Sequence, residues 1–494
     1  MSEALDPSGT SVNVGNVIVR TPGLSGEAEY YAGAGPGRRG PQPPEPLSTQ
    51  EFDAALREAG VQEQETVQIS DAEEATVPGG TRAVPNQRTL ELEVDAPPAG
   101  RGQFVIHQDE AGVITWSFAP PSTAGVRGAA RRTYVIRTNQ PPEEARQGTR
   151  GLTAILGNKV LRVLLFPLID PVVGEVSELF VRRWEDHYRP HRTRTFTPET
   201  YLGPPAADDR VDWSKLGEDR SLLMIHGTGS QAHTGFAGLP RNYLEDLHQA
   251  YGRRVFALDH PTIATTPQQN IEWFLKQVPD GTSLNLDIVC HSRGGLVARV
   301  LAEKQGEFSL GSRKVRVNKI IFVGAPNAGT TLTDTKYMSD YLDSYTNLLN
   351  FFPDTAVLDT IQAVFAVAKQ LAVGAFKGLD GLQSMRPNGQ FLQWLNVAGG
   401  TRDPAGPRYY ALASNYDPIQ PGLKLWAENR LLDDIFKADN DMVVPTLGVY
   451  DENGASWLPI DEHFVFPKEQ GVPHSGYFAN EDARQRITDW LSRN

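Results

Sequence analysis

The stretch LNLDIVCHSRGGLVARVLAEK, residues 284–304, decides the fold. Its first part is an apolar run ending at Cys290, and its last part carries apolar residues at helical spacing. Between them His291-Ser292-Arg293-Gly294-Gly295 makes a short break, so the whole reads as strand, sharp turn, helix. A serine on such a turn projects its hydroxyl above the end of a sheet, provided that the residues two before and two after it are small. Cys290 and Gly294 both satisfy this for Ser292, although Cys290 stands where the G-x-S-x-G pattern has its first glycine. Taken alone, the string also describes an ordinary serine at a helix N-terminus.

Working outward, apolar runs alternate with helical patterns from about residue 215: SLLMIHG, a helix near 240–250, RVFALDH, a helix near 267–278, LNLDIVC, a helix near 293–304, and KIIFVGAP. This alternation predicts an α/β domain over 215–494, built on a mostly parallel sheet flanked by helices. RYYALAS and EHFVF continue it as strands, and EDARQRITDWL closes it as a helix. A mostly helical insertion, 327–406, contains TAVLDTIQAVFAVAKQLAVGAF. It reads either as a cap closing over the site and excluding water or as a helix permanently buried on the sheet.

A serine hydroxyl is a poor nucleophile until a histidine takes its proton and a carboxylate holds that histidine in the right tautomer. Downstream of Ser292, Asp439-Asn440-Asp441-Met442-Val443-Val444-Pro445 follows a strand, and His474 lies in GVPHSGYF before the last helix. The order serine, acid, histidine is the one this fold uses. Asp441, next to the apolar MVVP, is the expected acid, with Asp439 as the fallback. Upstream, His226-Gly227-Thr228-Gly229 ends a strand where a backbone N–H can meet an oxyanion. Thr228 and Arg293 are the expected backbone donors, and His226 is expected to order their loop by hydrogen bonding.

The strings LMIHGTG, DIVCHSRGGLVAR, IIFVGAPNAGT, NDMVVP and PHSGYF resemble the lipase and esterase branch of the α/β-hydrolase superfamily over about residues 219–494. The resemblance implies an α/β-hydrolase fold with a cap insertion and attack on a carboxylic ester. It implies Ser292 as nucleophile, His474 as base, Asp441 as acid and Thr228 and Arg293 as oxyanion donors. A thioesterase, amidase or acyltransferase would use the same residues. A binding or scaffold protein on a hydrolase fold is the reading from another class. The implied substrate is a small-molecule ester or lipid, with peripheral membrane or lipid contact through the cap left open.

Ahead of that region, residues 1–47 hold much Gly, Pro and Ser, end in GAGPGRRGPQPPEP and read as a flexible tail. Ser48 and Glu51 form a capping box, with Phe52, Ala55 and Leu56 on one face and Gly60 as the stop. RTLELEV and GQFVIHQ-DEAG-VITWSF alternate with period two, so 48–145 is expected to be a small β-rich accessory domain. GLTAILGNKVLRVLLFPL and the segment after Asp170-Pro171 are expected to be two helices ending near Arg189, within a helical linker over 146–214.

With 494 residues, 47 basic against 60 acidic side chains and a net charge of −13, the chain is repelled by phosphate backbones, so nucleic acid is not an expected partner. One cysteine, Cys290, and an N-terminus lacking a secretory apolar core point to a reduced, cytoplasmic setting. The longest apolar stretch, Thr355 to Phe376, is interrupted by Asp359, Gln362, Lys369 and Gln370 and cannot span a bilayer. No zinc, EF-hand or phosphate-loop motif is present, no cofactor is implied, and Asp434, Asp439 and Asp441 read as an acidic loop. Cys290 reads as a small packing residue, His291 and His260 as structural histidines, and the Arg293 side chain as solvent-exposed.

Overall fold

The computed structural model describes residues 2–32, 50–74, 89–109, 112–119, 131–137, 158–169, 180–207, 209–334, 337–351, 357–374, 378–396, 406–418, 438–451 and 458–493. Its strands are β1 Ser2–Ala4, β2 Val12–Val14, β3 Val17–Arg20, β4 Leu24–Ala32, β5 Gln62–Glu74, β6 Thr89–Asp95, β7 Arg101–Asp109, β8 Ile114–Ser117, β9 Arg131–Arg137 and β10 Lys159–Pro167 in the N-terminal part. In the C-terminal part they are β11 Arg192–Thr195, β12 Arg220–Ile225, β13 Val255–Asp259, β14 Ser283–His291, β15 Lys314–Val323, β16 Arg408–Ser414 and β17 Ile460–Phe466. Helices of eight residues or more are α1 Gln50–Glu58, α2 Phe180–Tyr188, α3 Arg241–Ala250, α4 Pro267–Gln277, α5 Gly294–Glu303, α6 Met338–Phe351, α7 Val357–Ala372 and α8 Glu481–Ser492.

Two antiparallel sheets, β1-β4-β5-β10-β7-β8 and β2-β3-β6-β9, form an N-terminal sandwich. Alternate residues of each meet in its core: Val14, Val17 and Val19, Leu90, Leu92 and Val94, Val67, Ile69, Leu161 and Val163. Two expectations fail here. Residues 2–32 are strands, not tail, because four valines at alternate positions flank a two-residue hairpin pairing Val14 with Val17, where Gly15 supplies the positive φ (+60°) that the turn needs. The rest of the expected tail lies outside the described residues.

Lys159–Pro167 is a strand between β5 and β7, not a helix. Both faces of β10 are covered: Leu161 and Val163 enter the sandwich core, while Leu164 and Phe166 join the apolar cluster on the other side, so polar residues do not alternate with apolar ones along its second half. The linker over 146–214 is therefore divided: β10 belongs to the sandwich, while β11 pairs antiparallel with β13 at the edge of the next sheet. Of the expected helices, α1 forms with Phe52, Ala55 and Leu56 buried. The segment before Arg189 forms α2, but its approach from Asp170 lies outside the described residues.

The C-terminal sheet has the order β11-β13-β12-β14-β15-β16-β17 and is parallel except at β11. The chain runs from β12 outward to β13 and returns to β14 on the other side of β12. The crevice beyond the carboxyl ends of β12 and β14 is thus the point where the winding reverses, the place where such sheets bind ligands.

Helices α6 and α7 of the insertion are wedged between sheet and sandwich. Phe365 packs against Phe52 and Trp116 with ring centroids 5.4 and 5.5 Å away, and one continuous apolar cluster runs from Phe104 through α7 to Leu223 and Ile288. On α6, Asn347 accepts from the Ile114 amide (2.9 Å) and donates to the Ile114 carbonyl (2.8 Å), while Asp343 accepts from the Trp116 amide (2.8 Å). These bonds satisfy the outer edge of β8, which, among the described residues, no other strand of its sheet covers. Asn347→Ala leaves two buried backbone groups of Ile114 without this partner and should lower unfolding free energy by about 2–4 kcal/mol in urea titrations.

Candidate functional site

Ser292 follows β14 directly. Its backbone is left-handed, with φ +52°, which costs a residue with a Cβ roughly 1–2 kcal/mol and persists only where the surroundings impose it. Here the strands leave no other room. A Cβ on Gly227 would lie 2.7 Å from the Ser292 Cβ, one on Gly294 2.5 Å from the Ile225 carbonyl oxygen, and one on Gly295 2.5 Å from the Ala325 Cβ. The Ser292 amide donates to the Val323 carbonyl at 2.9 Å, locking the turn to β15. Cys290 is fully buried with its Sγ 3.3 Å from the Ile321 carbonyl, and burial holds its thiol well above the ordinary range. It packs between strands.

Asp441 and His474 meet at this turn. His474 Nδ1 is 2.7 Å from Asp441 Oδ2, with both side chains buried. The acceptor on Nδ1 places the ring proton there and leaves Nε2 bare; Nε2 is buried and has no hydrogen-bond partner. The remaining capacity of Asp441 is filled by the amides of Val443 (3.1 Å) and Val444 (2.8 Å) and the Tyr477 hydroxyl (3.0 Å). The tight turn behind it needs Met442 at φ +79°, held by a bond from its amide to the Asn440 side chain at 2.8 Å. Asp439 is half exposed and paired with Lys468 at 3.4 Å instead. Asp434 lies outside the described residues.

The loop after β12 is fixed from two sides. The His260 amide donates to His226 Nε2 at 3.1 Å, so His226 carries its proton on Nδ1 and donates to the Gly227 carbonyl at 3.0 Å. Burial pushes His226 down to about 3, and burial likewise keeps His260, stacked on it at 4.2 Å, well below its ordinary range. From the other side, the Gly229 amide donates to Thr262 Oγ1 at 3.0 Å and Arg189 donates to the Gly229 carbonyl at 2.5 Å. Thr262 is itself held by Glu185, whose carboxylate accepts from the amides of Thr262, Ile263 and Ala264 at 2.6–2.8 Å. Burial raises the Glu185 pKa, and these three donors oppose that rise. Among the described residues, the amides of Thr228 and Arg293 donate to no protein acceptor.

The Arg293 side chain is not exposed, as its polarity suggested; it is fully buried. It donates to the carbonyls of Gly381 (3.0 Å) and Thr265, and burial brings its pKa down to about 10. It therefore ties the turn to the insertion and presents no charge to solvent. His291 donates through Nε2 to the His474 carbonyl at 3.0 Å, bracing that loop against β14. Among the described residues no group of three or more His, Cys, Asp or Glu is arranged to hold a metal ion, and no helix is long and apolar enough to cross a membrane.

Two further residues are absent from the sequence reading. Tyr341 and Tyr345, one turn apart on α6, are buried with rings 4.6 Å apart. Burial pushes the Tyr345 phenol up to about 12. The spacing YLDSY was a visible signal, but an i, i+4 aromatic pair describes a core-facing helix equally well.

The fold and site are those of an α/β protein with a serine on a strained strand-to-helix turn beside an aspartate–histidine pair. Residues 188–492 match the model of a family described as a domain of unknown function, DUF7379, and the chain belongs to that family. No curated protein matches the chain. Among solved structures it is similar to a Bacillus licheniformis lipase, BlEst2 in mature form, at 14% identity over 55% of this chain and 92% of that one, with a TM-score of 0.33. Lipase 1 from Pelosinus fermentans is similar at 14% identity, 56% and 99% coverage and a TM-score of 0.37. The metagenomic carboxyl esterase MGS0156 follows at 15% identity, 58% and 80% coverage and a TM-score of 0.30.

The His226 ring should stay neutral, with its proton on Nδ1, from pH 7.5 down to about pH 4 in nitrogen-15 spectra of the imidazoles. In the unfolded chain it protonates near pH 6.5, as free histidine does. The unfolded state thus gains a proton that the folded state refuses, so this group's share of stability is lost as pH falls from about 6.5 towards about 3. A charged His226 ring at pH 5 in the folded protein would contradict the assignment.

Proposed function

We propose that this protein is a serine hydrolase of the α/β-hydrolase type acting on carboxylic esters of small molecules or lipids. The observation that carries the reading is the 2.7 Å bond between His474 Nδ1 and Asp441 Oδ2 at the turn that strains Ser292. The bond fixes the tautomer whose free Nε2 can accept a proton. In this reading Ser292 Oγ attacks the ester carbonyl carbon as its proton passes to His474 Nε2. The imidazolium is stabilised by Asp441, and the tetrahedral oxyanion is held by the Thr228 and Arg293 amides. Collapse breaks the ester bond, the leaving alcohol takes the proton from Nε2, and an acyl group remains on Ser292. Water, deprotonated by His474, attacks the acyl carbonyl and releases the acid, returning Ser292 Oγ–H.

The test is hydrolysis of nitrophenyl esters of increasing acyl length, with fluorophosphonate labelling alongside. Ser292→Ala should lose labelling and lower kcat by roughly 10⁴–10⁶, with unfolding unchanged. Near-normal turnover in that variant would remove Ser292 from the mechanism.

The two aspartates give a second, independent comparison. Asp441→Asn should lower kcat by about 10⁴ because the amide no longer holds the productive tautomer. Asp439→Asn, at a half-exposed surface pair, should leave kcat within about twofold, since such pairs carry little energy. The reverse ranking would transfer the acid's role to Asp439.

A further inference from the structure

Gly229, the residue after Thr228, is left-handed with φ +68°. A glycine turns easily about its own bonds, so nothing within the residue fixes the peptide that joins it to Thr228. Its surroundings do. The Gly229 amide donates to Thr262 Oγ1 at 3.0 Å, and its carbonyl accepts from Arg189 at 2.5 Å. The Thr262 hydroxyl in turn donates to Glu185 Oε1 at 3.3 Å, which leaves its lone pairs turned towards Gly229. Glu185 and Arg189 stand one turn apart at the end of α2, with the Arg189 amide donating to the Glu185 carbonyl at 2.8 Å. One helix therefore grips both polar groups of Gly229, through Thr262 on one side and directly on the other.

Glu185 is 1% exposed, and a carboxylate at that depth is costly unless its lone pairs are used. All of its printed partners are the Thr262 hydroxyl and the amides of Thr262, Ile263 and Ala264, so the carboxylate is spent on the segment that holds Gly229. The Arg189 guanidinium is steadied over the Trp184 ring, 4.7 Å from its centroid. On the near side of Thr228, the Gly227 carbonyl accepts from His226 Nδ1 and from Ser230 Oγ, both at 3.0 Å, and Gly227 stands directly against the Ser292 turn. Thr228 is thus pinned before and after, while its own amide donates to no protein acceptor among the described residues.

We propose that Thr262, backed by Glu185, and Arg189 form a two-point clamp on Gly229 that positions the Thr228 amide for the oxyanion. The proposal rests on the reading of Ser292 as nucleophile and of Thr228 as an oxyanion donor. All three clamp side chains act through Gly229 and are positioning residues. A donor held slightly out of place still lets the ester bind but serves poorly the charge that develops on its oxygen, so the clamp acts on kcat and spares KM.

The experiment compares wild type, Thr262→Val, Thr262→Ser, Arg189→Met and Ser292→Ala on nitrophenyl butyrate, measures inhibition by a trifluoromethyl ketone whose adduct carries the oxyanion, and follows unfolding in urea. Thr262→Val keeps the shape and loses the acceptor; kcat should fall about 10- to 100-fold with KM nearly unchanged, and ketone affinity should fall by the same factor. Thr262→Ser, which keeps the hydroxyl, should stay within about threefold of wild type. Arg189→Met releases the other end of the clamp and should lower kcat and ketone affinity together; it decides by the same two readings should Thr262→Val not fold. The proposal is overturned if a folded Thr262→Val or Arg189→Met lowers only the urea midpoint and keeps kcat and ketone affinity, or loses kcat without losing ketone affinity, while Ser292→Ala is inactive. A loss in Thr262→Ser equal to that in Thr262→Val overturns it as well, since the hydroxyl is then not what matters. A wild-type protein inert to esters and fluorophosphonate removes the serine reading and this proposal together; an active Ser292→Ala does the same.

Discussion

A left-handed backbone at Ser292 is the constraint around which the C-terminal domain is arranged. Strain of that kind is tolerated only if several neighbours each forbid relaxation. Gly227, Gly294 and Gly295 are the positions where a side chain would strike the turn, the β12 carbonyls or Ala325. Close packing of β12, β14 and β15 around the turn is what makes those contacts unavoidable, and it simultaneously brings the His226–Gly229 loop over Ser292. The same crowding reaches Gly324, where a Cβ would lie 3.2 Å from Asp441 Oδ2 and 3.3 Å from His474 Nδ1. Strain, small residues and the approach of the acid–histidine pair are one packing problem with one solution.

The second organising feature is α6, which is bonded on both faces. On one side it closes the edge of β8; on the other it buries Tyr341 and Tyr345 against one another. An insertion in an α/β domain is free to move when only its own apolar face holds it down. Here buried, directional hydrogen bonds to backbone groups of the sandwich add to the apolar contacts of Phe365, and breaking them would leave donors and acceptors unsatisfied. The N-terminal sandwich is thereby fastened to the insertion through one helix.

Much of this was legible in the chain. The alternation from residue 215 onward sufficed for the parallel sheet, because buried strands and amphipathic helices each leave a periodic trace. The strand-to-helix turn at Ser292 was readable from turn chemistry, and the rings of His260 and His291, read as structural, bond to backbone carbonyls. Less was legible where tertiary pairing overrides local pattern. Burial on both faces erased the alternation of β10, and the valines of residues 12–19 looked too sparse for a core until a second sheet covered them. Arg293 was misjudged for the same reason: a charged residue enters the interior only if distant carbonyls, here Gly381 and Thr265, are waiting for it.

What the sequence determined by itself was local: which segments are strands and helices in the α/β domain, which turn is too tight for ordinary residues, and which side chains can carry proton transfer. These properties depend on neighbours within a few positions, so they are written in periodicity and in glycine placement. Tertiary structure alone paired His474 with Asp441 and left Asp439 to Lys468, and it alone set the burial of Arg293 and the tautomer of His226. Each of those depends on contacts between residues far apart in the chain, and hydrogen bonds across such separations leave no period to read.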